Sequence, residues 1–223
     1  SDYKDSEVYY CGDEDDGHAK KNKWLKTWLP SDTEEEEDDK EWFWFDKNGK
    51  LYRASGSDAV KAQKYKLEEG DLVYDGGSIT GVEKKKVNSK DYWFRPDGVM
   101  LAKFYMIDDN MYYFGGSDDG SMKTGSQSIK DNTGDTYKFY FYTKDQDSKK
   151  YQTPNNKALK KGAGVVGNQN NKLYYYGLLL TADDYKYQVA KVGGYEFIIN
   201  SNGSIQHSYG ATYKEDGDEL VVV

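Results

Sequence analysis

The side chains of this chain best suited to bind a ligand are aromatic. There are 5 Trp and 22 Tyr, and their flat rings can stack on a ligand or hold a cation against the ring face. The candidate binding residues are Trp24, Trp42, Trp44, Trp93, Tyr112 and Tyr113. The chemistry they suggest is a platform for a glycan or a peptide. The alternative is that every ring is used in packing one element on the next.

The stretch WFWF at residues 42–45 shows how a strand would divide these rings. Side chains alternate between the two faces of a strand. Trp42 and Trp44 therefore share one face, and Phe43 and Phe45 share the other. One face has to be buried, so the other is either an exposed aromatic patch or packed against a neighbouring unit.

Catalytic chemistry has little support in the residue types. The two histidines, His18 and His207, lie far apart in polar, turn-like contexts where we expect exposed side chains. There are 39 Asp and Glu, so carboxylate pairs of the kind that hydrolyse glycosidic bonds arise by chance. The chain has no phosphate-binding loop, nucleophile elbow or zinc motif. We expect no enzyme, and we expect no cofactor.

Acidic residues cluster in the stretches 13–17 (DEDDG), 34–41 (EEEEDDKE) and 117–120 (SDDG). Calcium takes six to eight oxygen ligands, and its familiar loop alternates acidic with other residues. The run at 34–41 is contiguous, so a solvated or disordered loop is expected there, and the two Asp-Gly stretches are expected to be turns. Calcium binding is the less favoured alternative, and no metal site is predicted.

The formal net charge is −8, which argues against nucleic acid and anionic membranes as partners. No apolar run approaches the roughly 18 residues needed to span a membrane, so membrane insertion is not expected. The single cysteine, Cys11, excludes an intramolecular disulfide. Because the matching position of a second copy of its motif is Phe114, Cys11 is expected to be a small buried apolar group.

The chain is predicted to fold as a series of repeated β-hairpins. YYCGDEDDGHAKKN at 9–22 matches YYFGGSDDGSMKTG at 112–125, and such self-similarity indicates an array of small units. Three other aromatic segments run into Asn-Gly or Asp-Gly, which are strong turn signals. A lone hairpin is marginal in water, but stacked hairpins bury each other's aromatic faces. About nine hairpins are predicted, centred near Tyr9, Phe43, Val73, Trp93, Tyr112, Phe139, Tyr175, Phe197 and Val221.

The predicted fold class is therefore all-β, an elongated, solenoid-like array of stacked hairpins forming a single domain over residues 1–223. Insertions interrupt it near 28–41 and 143–164, and the segments 85–94 and 165–176 are predicted to have longer turns. One stretch favours an alternative: residues 55–70 have the composition of a three-turn helix with an N-cap at Ser57 or Asp58 and a stop at Gly70. Alternation about Glu69-Gly70 favours a hairpin there.

The aromatic, turn, glycine, apolar and lysine pattern resembles the cell-wall-binding repeats of Gram-positive surface proteins, which include choline-binding and glucan-binding repeats. The resemblance runs from about residue 7 to the end of the chain. The residues that carry it are Tyr112-Tyr113-Phe114 with Gly120, Met122, Lys123, Thr124 and Gly125; Trp42-Phe43-Trp44-Phe45 with Asn48-Gly49; Tyr92-Trp93-Phe94 with Asp97-Gly98; and Phe197 with Asn202-Gly203.

This resemblance implies an extracellular protein at the cell wall or cell surface, with ligands held between neighbouring hairpins. It also implies upstream domains in a longer protein. The family's choline cage uses a Trp directly after a Gly, but Ser126 follows Gly125 here and the chain has no Gly-Trp dipeptide. That departure argues against choline, and a cell-wall polysaccharide or other glycan is the expected partner.

Two functions follow as hypotheses. The first is a non-catalytic module that attaches a secreted protein to cell-wall or extracellular carbohydrate through aromatic residues between hairpins. The second is a structural stalk or adhesion spacer with no small ligand. The first requires aromatic faces open to solvent, whereas the second requires all of them to be consumed by packing.

Overall fold

The computed structural model describes residues 6–12, 17–31, 36–57, 59–146, 159–183, 186–207, 213–216 and 219–222, with side chains described up to residue 206. Apart from one short 3-10 helix, Glu37–Asp39, the regular elements in these ranges are β-strands. Where strand pairing is assigned residue by residue, it is antiparallel. The prediction of an all-β chain made of hairpins is confirmed. The nine-repeat single array remains a prediction.

The chain divides into two compact units. The first comprises Ser1–Tyr65, Asp75–Asp108 and Tyr113–Met122, and the second comprises Lys66–Tyr74, Asp109–Tyr112 and Lys123–Val223. The strands in chain order are β1 Lys23–Thr27, β2 Glu41–Phe45, β3 Lys61–Glu68, β4 Asp71–Thr80, β5 Glu83–Val87, β6 Lys90–Phe94, β7 Phe104–Ile107, β8 Asn110–Tyr113, β9 Gly125–Lys130, β10 Thr136–Phe141, β11 Gly167–Gln169, β12 Lys172–Tyr175, β13 Leu178–Leu179, β14 Tyr187–Val192, β15 Tyr195–Asn200, β16 Ile205–His207, β17 Tyr213–Asp216 and β18 Glu219–Val222.

The sheets are small. Two-stranded sheets are β1-β2, β5-β6 and β17-β18, and the three-stranded sheet is β14-β15-β16. The remaining two have the orders β4-β3-β7-β8 and β11-β12-β13-β10-β9. Each sheet has too few strands to enclose a core of its own. The hydrophobic clusters described below therefore draw on side chains from more than one hairpin.

Two-residue turns join many neighbouring strands, and both of their residues have positive φ. Examples are Asn88-Ser89 (48° and 67°), Asp108-Asp109 (49° and 61°) and Asn170-Asn171 (51° and 61°). These angles define the type I′ hairpin turn, whose twist matches that of the strands. The longer turns predicted for 85–94 and 165–176 are therefore wrong, because Asn at the first turn position tolerates the left-handed conformation that a two-residue turn requires.

The Asn-Gly and Asp-Gly signals mark a second kind of turn. In FWFDKNGK the amide of Gly49 donates to the carbonyl of Asp46 at 2.9 Å, and the Asp46 side chain accepts from the amides of Asn48 and Lys50. Only the glycine has positive φ, 81°. The same arrangement recurs at Asn200–Gly203. The turn signals were thus correct, and in these two Asn-Gly turns the side chain of Asp46 or Asn200, three residues ahead of the glycine, completes the turn.

The core of the first unit is aromatic on both sides of β2. One cluster is formed by Phe43, Phe45, Leu51 and Val99, with Val8, Tyr10, Leu25 and Leu29 packed against it. The other is formed by Trp44, Val87, Tyr92, Phe94 and Met100, with Trp24, Trp42 and Tyr52 packed against it. In the second unit a core cluster is formed by Val166, Leu173, Val192, Phe197, Ile199 and Ile205.

Two sequence expectations fail in this fold. The helix alternative for 55–70 is wrong, because Lys61–Glu68 is strand β3 and turns back at Glu69-Gly70. Cys11 is exposed rather than buried. Val8 and Tyr10 of the same segment pack against the core, and the carbonyl of Val8 accepts from the amide of Leu51 at 2.8 Å, but the side chain of Cys11 is not buried as that of Phe114 is.

The two predicted insertions are only partly described. Residues Glu36–Asp39 of the acidic run are exposed and include the 3-10 helix, as expected of a solvated loop. Residues 32–35 and 147–158, and residues 13–16 of the first Asp-Gly stretch, lie outside the described residues.

Candidate functional site

Strands β1 and β2 carry three of the six aromatic candidates, Trp24, Trp42 and Trp44. They pair in antiparallel register, with Trp24 opposite Trp44 and Lys26 opposite Trp42. Trp42 and Trp44 accordingly share one face, while Phe43 and Phe45 lie on the other, as the two-residue period predicts. Phe43 and Phe45 are 1% and 3% exposed, so these two rings are core residues, and the tryptophan face carries the aromatic binding candidates of β2.

Most of the rings on that face are consumed by packing. Trp24 is surrounded by Trp44, Tyr92 and Phe94, with ring centroids at 5.4, 4.7 and 5.7 Å. The ring of Trp24 is stacked on that of Phe94 with an interplanar angle of 12°. Trp44 is 6% exposed. Aromatic pairs at these distances stabilise a core beyond the area they bury, so Trp24 and Trp44 hold hairpins together.

Trp42 lies at the edge of this cluster and is held in place by its ring nitrogen. Its Nε1 donates to Oδ1 of Asp118 at 2.9 Å, and Nζ of Lys26 donates to the same oxygen at 2.8 Å. The two hydrogen bonds, with Lys26 contributing most, lower the pKa of Asp118. Asp118 belongs to the SDDG turn, so that repeated motif serves here to orient the indole.

The turn that carries Asp118 packs against the aromatic core. The amide of Asp119 donates to the carbonyl of Gly116 at 3.0 Å. Gly120 follows with φ of 75°, and a Cβ built on it would lie 2.1 Å from Sδ of Met100. Only glycine allows this close approach, and Met100 is itself part of the Trp44 cluster. The turn is thereby seated on the aromatic core.

Trp42 lines a cavity of about 480 Å³ in the first unit. The cavity combines two aromatic residues, a set of aliphatic and small residues, and charged groups of both signs. Its lining comprises Glu41, Trp42, Lys64, Asp75, Gly76, Gly77, Ser78, Ile79, Arg95, Val99, Met100, Leu101, Ala102, Lys103, Tyr105 and Ser117. A concave site with apolar walls and a few polar groups is the usual form of a small-molecule site. We refer to it below as the Trp42 cavity.

The charges in the Trp42 cavity are mostly compensated. Nζ of Lys64 lies 3.5 Å from a carboxylate oxygen of Asp75. The guanidinium of Arg95 donates to Asp97, just outside the cavity. Lys103 is exposed. These pairs fix Arg95 and Asp75 at the wall of the cavity, where a guanidinium donates hydrogen bonds and a carboxylate accepts them.

Glu41 is different. It is partly buried, and none of the described residues forms a hydrogen bond or an ion pair with its carboxylate. Burial raises the pKa of the Glu41 carboxyl above its ordinary value near 4.5, against the smaller opposing effect of Arg95. A desolvated acceptor without a partner is costly to a fold. Burial likewise raises the pKa of the Tyr105 phenol on the same wall.

A second concavity of about 370 Å³ lies on the phenylalanine side of β2. It is largely apolar and is lined by Val8, Tyr9, Tyr10, Thr27, Trp28, Leu29, Pro30, Phe43, Phe45 and Leu51. Its polar atoms are engaged locally: Nε1 of Trp28 donates to the carbonyl of Glu36, and the Tyr9 hydroxyl donates to Glu7. It lacks the converging charges of the Trp42 cavity.

The remaining predicted site residues lie elsewhere. Trp93 is partly buried on β6, paired with Lys84 of β5. Tyr112 is 5% exposed. The ring of Tyr113 packs on Phe104 at 4.6 Å, and burial raises the pKa of its phenol. The structure thus brings Trp24, Trp42 and Trp44 together, but Trp93, Tyr112 and Tyr113 do not line the Trp42 cavity.

Glu41, Asp118 and Tyr105 were not among the predicted site residues. Glu41 is the last residue of the acidic run for which a solvated or disordered loop is predicted, and that prediction is wrong for this residue, which is partly buried at the start of strand β2. Asp118 was assigned to a turn. Tyr105 stands in a hairpin segment that carried no functional signal. Contacts between distant segments bring Asp118 and Tyr105 close to Trp42, and short-range sequence patterns do not contain that information.

The described residues show no grouping of three or more His, Cys, Asp or Glu side chains able to hold a metal ion. His18 is exposed, and the side chain of His207 lies outside the described residues. In the same part of the chain there is no apolar helix long enough to cross a membrane.

The chain is similar to pneumococcal choline-binding proteins of known structure. Choline-binding protein F of Streptococcus pneumoniae is 16% identical, with 98% of this chain and 84% of that chain covered and a TM-score of 0.31. CbpJ of the same organism is 16% identical, with 82% and 70% covered and a TM-score of 0.21. For the pneumococcal modular autolysin LytC the identity is 15%, the coverage 96% and 49%, and the TM-score 0.21.

TM-scores this low do not define a shared ligand site. No protein-family model matches the chain, and no curated protein matches it. The arguments about function below therefore rest on the residues of this chain.

Proposed function

We propose that this chain is a non-catalytic binding module that attaches a secreted protein to cell-wall or extracellular carbohydrate. The observation that carries the proposal is the Trp42 cavity: an oriented indole, a second aromatic ring and charged hydrogen-bonding groups of both signs around one concave space of about 480 Å³. A sugar ring has an apolar face and a rim of hydroxyl groups, and the cavity offers a partner for each.

The division of labour among the lining residues follows from their chemistry. The indole of Trp42 provides the flat apolar surface, and its hydrogen bond to Asp118 prevents it from turning away. The carboxylates of Glu41 and Asp75 accept hydrogen bonds from hydroxyl groups, and the guanidinium of Arg95 donates them. Holding these groups in place before binding reduces the entropy that is lost on association.

The sequence resemblance supports the same proposal independently of the cavity. Cell-wall-binding repeats act outside the cell and attach larger proteins to wall polymers, and this chain carries their aromatic and turn motifs. In the proposed setting the chain works at the cell surface, alongside further domains of a longer protein. The absence of Gly-Trp pairs leaves a glycan as the preferred ligand over choline.

The spacer hypothesis has an observation of its own. Trp24, Trp44, Tyr92 and Phe94 are packed on each other between hairpins, which is what a stalk without a ligand requires. A spacer, however, has no use for an aromatic ring on the wall of a charged cavity. Binding of a glycan through Trp42 therefore separates the two functions.

The test is retention of the chain on purified peptidoglycan and on insoluble glucan. Wild-type protein is compared with Trp42→Ala and with a matched control, Tyr175→Ala, which removes an exposed aromatic ring (45% exposed) far along the chain. Far-UV circular dichroism establishes that each variant is folded. We expect retention of the wild type and the control, and loss in Trp42→Ala. A folded wild type that binds neither polymer would favour the spacer.

Hydrolysis is checked in the same samples. Glu41 and Asp75 share one cavity, and a glycosidase needs two carboxylates about the scissile bond. Asp75 is ion-paired with Lys64, which favours a role in binding. Release of reducing sugar from the retained polymer, lost in Glu41→Gln, would replace the binding module by an enzyme.

A further inference from the structure

The Trp42 cavity holds one charged group whose environment in the described part of the chain is costly without a ligand, the Glu41 carboxylate at the start of β2. We infer that Glu41 selects a neutral saccharide by accepting hydrogen bonds from adjacent hydroxyl groups of the sugar that stacks on Trp42. This inference rests on the proposed function and names the class of ligand and the residue that recognises it.

The first step of the argument is the position of Glu41. It precedes Trp42 directly, so their side chains leave β2 on opposite faces, yet both line the same cavity. The cavity therefore closes around the beginning of the strand. A sugar with its face on the indole presents its edge to the carboxylate, and the two oxygens of a carboxylate match a pair of neighbouring hydroxyl donors.

The second step is the lack of a competing partner. The other carboxylate of the cavity, Asp75, is paired with Lys64, and Arg95 is engaged by Asp97. Glu41 accepts no hydrogen bond from any described residue. A ligand donor consequently displaces no hydrogen bond from a described residue, and it compensates for the partial desolvation of the carboxylate.

The third step concerns the charge of the ligand. The charged groups that act on Glu41 are Arg95, Asp97, Lys64 and Lys26. Three of these four are cations, so the attraction of Glu41 for an ammonium group would be opposed by Arg95, Lys64 and Lys26. An anionic sugar would meet the unpaired carboxylate itself. A neutral sugar escapes both penalties.

The fourth step is the pH dependence. Because burial raises the pKa of Glu41, its carboxylate becomes protonated at a higher pH than an exposed glutamate does. Protonation removes acceptor capacity, so affinity falls as the pH drops through that raised pKa. The stability of the fold depends on pH in the opposite direction, because the ionised form of Glu41 destabilises the folded state relative to the protonated form. Glu41→Gln is therefore expected to weaken binding at pH 7 without lowering the stability of the fold.

The experiment uses native affinity electrophoresis of the full chain in gels containing dextran, laminarin or hydroxyethylcellulose, between pH 4 and pH 8. The wild type is compared with Glu41→Gln, Trp42→Ala and the control Asp38→Asn, which removes one charge from the neighbouring exposed turn outside the cavity. Urea unfolding at pH 7 is measured for each protein. A parallel titration uses glucosamine oligosaccharides in place of the neutral polymers.

We expect at least one neutral glucan to retard the wild type and Asp38→Asn equally. We expect Glu41→Gln to weaken that binding at least about tenfold, to flatten its pH profile and to leave the urea midpoint unchanged or higher. If Glu41→Gln binds like the wild type while Trp42→Ala does not, the role of Glu41 is wrong and the binding module stands. If neither Glu41→Gln nor Trp42→Ala loses binding, the proposed Trp42 site is wrong. If the protein binds only the glucosamine oligosaccharides, the proposal of a neutral ligand is wrong.

Discussion

The indole nitrogen of Trp42 donates a hydrogen bond to Oδ1 of Asp118 at 2.9 Å, joining strand β2 to a turn 76 residues later in the chain. The same oxygen accepts from Lys26 of the neighbouring strand β1. One carboxylate therefore fixes both the ring that would carry a ligand and the hairpin that presents it. This relationship connects the repeated Asp-Asp-Gly turn to the candidate site.

Replacing Asp118 with Ala should reduce binding more than stability. The Asp118 side chain is largely exposed (66%), and ion pairs in such positions contribute little to folding. Loss of the hydrogen bond frees the Trp42 indole, so glycan affinity should fall severalfold while the urea unfolding midpoint barely changes. Lys26→Met is the control, since it removes the ion pair and keeps the indole bond. Equal losses of affinity in both variants would show that charge, and not ring orientation, matters.

The tryptophans of β2 should separate into a core residue and a site residue. Trp44 is 6% exposed, so Trp44→Ala should lower the free energy of unfolding by about 3–5 kcal/mol. Trp42 lies at the cavity edge, and Trp42→Ala should cost only about 1–2 kcal/mol because less area is buried. Urea denaturation followed by circular dichroism measures both. Comparable costs would mean that Trp42 is also a core residue, which would weaken its proposed role.

Gly120 and Gly116 provide a matched pair within one turn. Gly120→Ala should lower the free energy of unfolding by at least about 2 kcal/mol, because the residue has a φ of 75° and the new methyl group would overlap Met100. Gly116 has open space around it, so Gly116→Ala should be nearly neutral. The comparison is made by thermal and urea unfolding. A tolerated Gly120→Ala would contradict the seating of the turn on the aromatic core.

The phenol of Tyr142 should ionise at a higher pH than that of an exposed tyrosine. It is 3% exposed, and burial raises the pKa of its phenol from about 10 to about 12. Since the folded-state pKa exceeds the unfolded one, its contribution to stability is present below pH 10 and is lost as the pH rises toward 12. The difference in alkaline absorbance between the wild type and Tyr142→Phe should show one tyrosine ionising near pH 12.

The same residue allows a stability test at neutral pH. The Tyr142 hydroxyl is buried and forms no hydrogen bond with any described residue. Tyr142→Phe removes that buried polar group while keeping the ring, and it should leave the free energy of unfolding unchanged or raise it by up to about 1 kcal/mol. A clear loss of stability would indicate a hydrogen-bond partner for the hydroxyl among the residues that the structure does not describe.

Local chemistry accounts for what the sequence could predict. Turns are made by three or four consecutive residues, so the turns at Asn48-Gly49 and Asn202-Gly203 could be predicted from the sequence. The alternation of Trp42 and Trp44 against Phe43 and Phe45 follows from strand geometry alone. The prediction for Cys11 was wrong for the complementary reason: its motif matches that of Phe114, but burial depends on which strands the segment pairs with.

The sequence by itself determined that the chain is an all-β protein of antiparallel hairpins, because alternation and turn chemistry act between residues close along the chain. Only the tertiary structure decided which aromatic rings are packed in the core and which rings line a cavity. Trp24 and Trp42 look alike in the sequence, yet one is stacked on Phe94 and the other is held at the cavity edge by Asp118. That difference arises from contacts between distant segments, and no short stretch of residues specifies them.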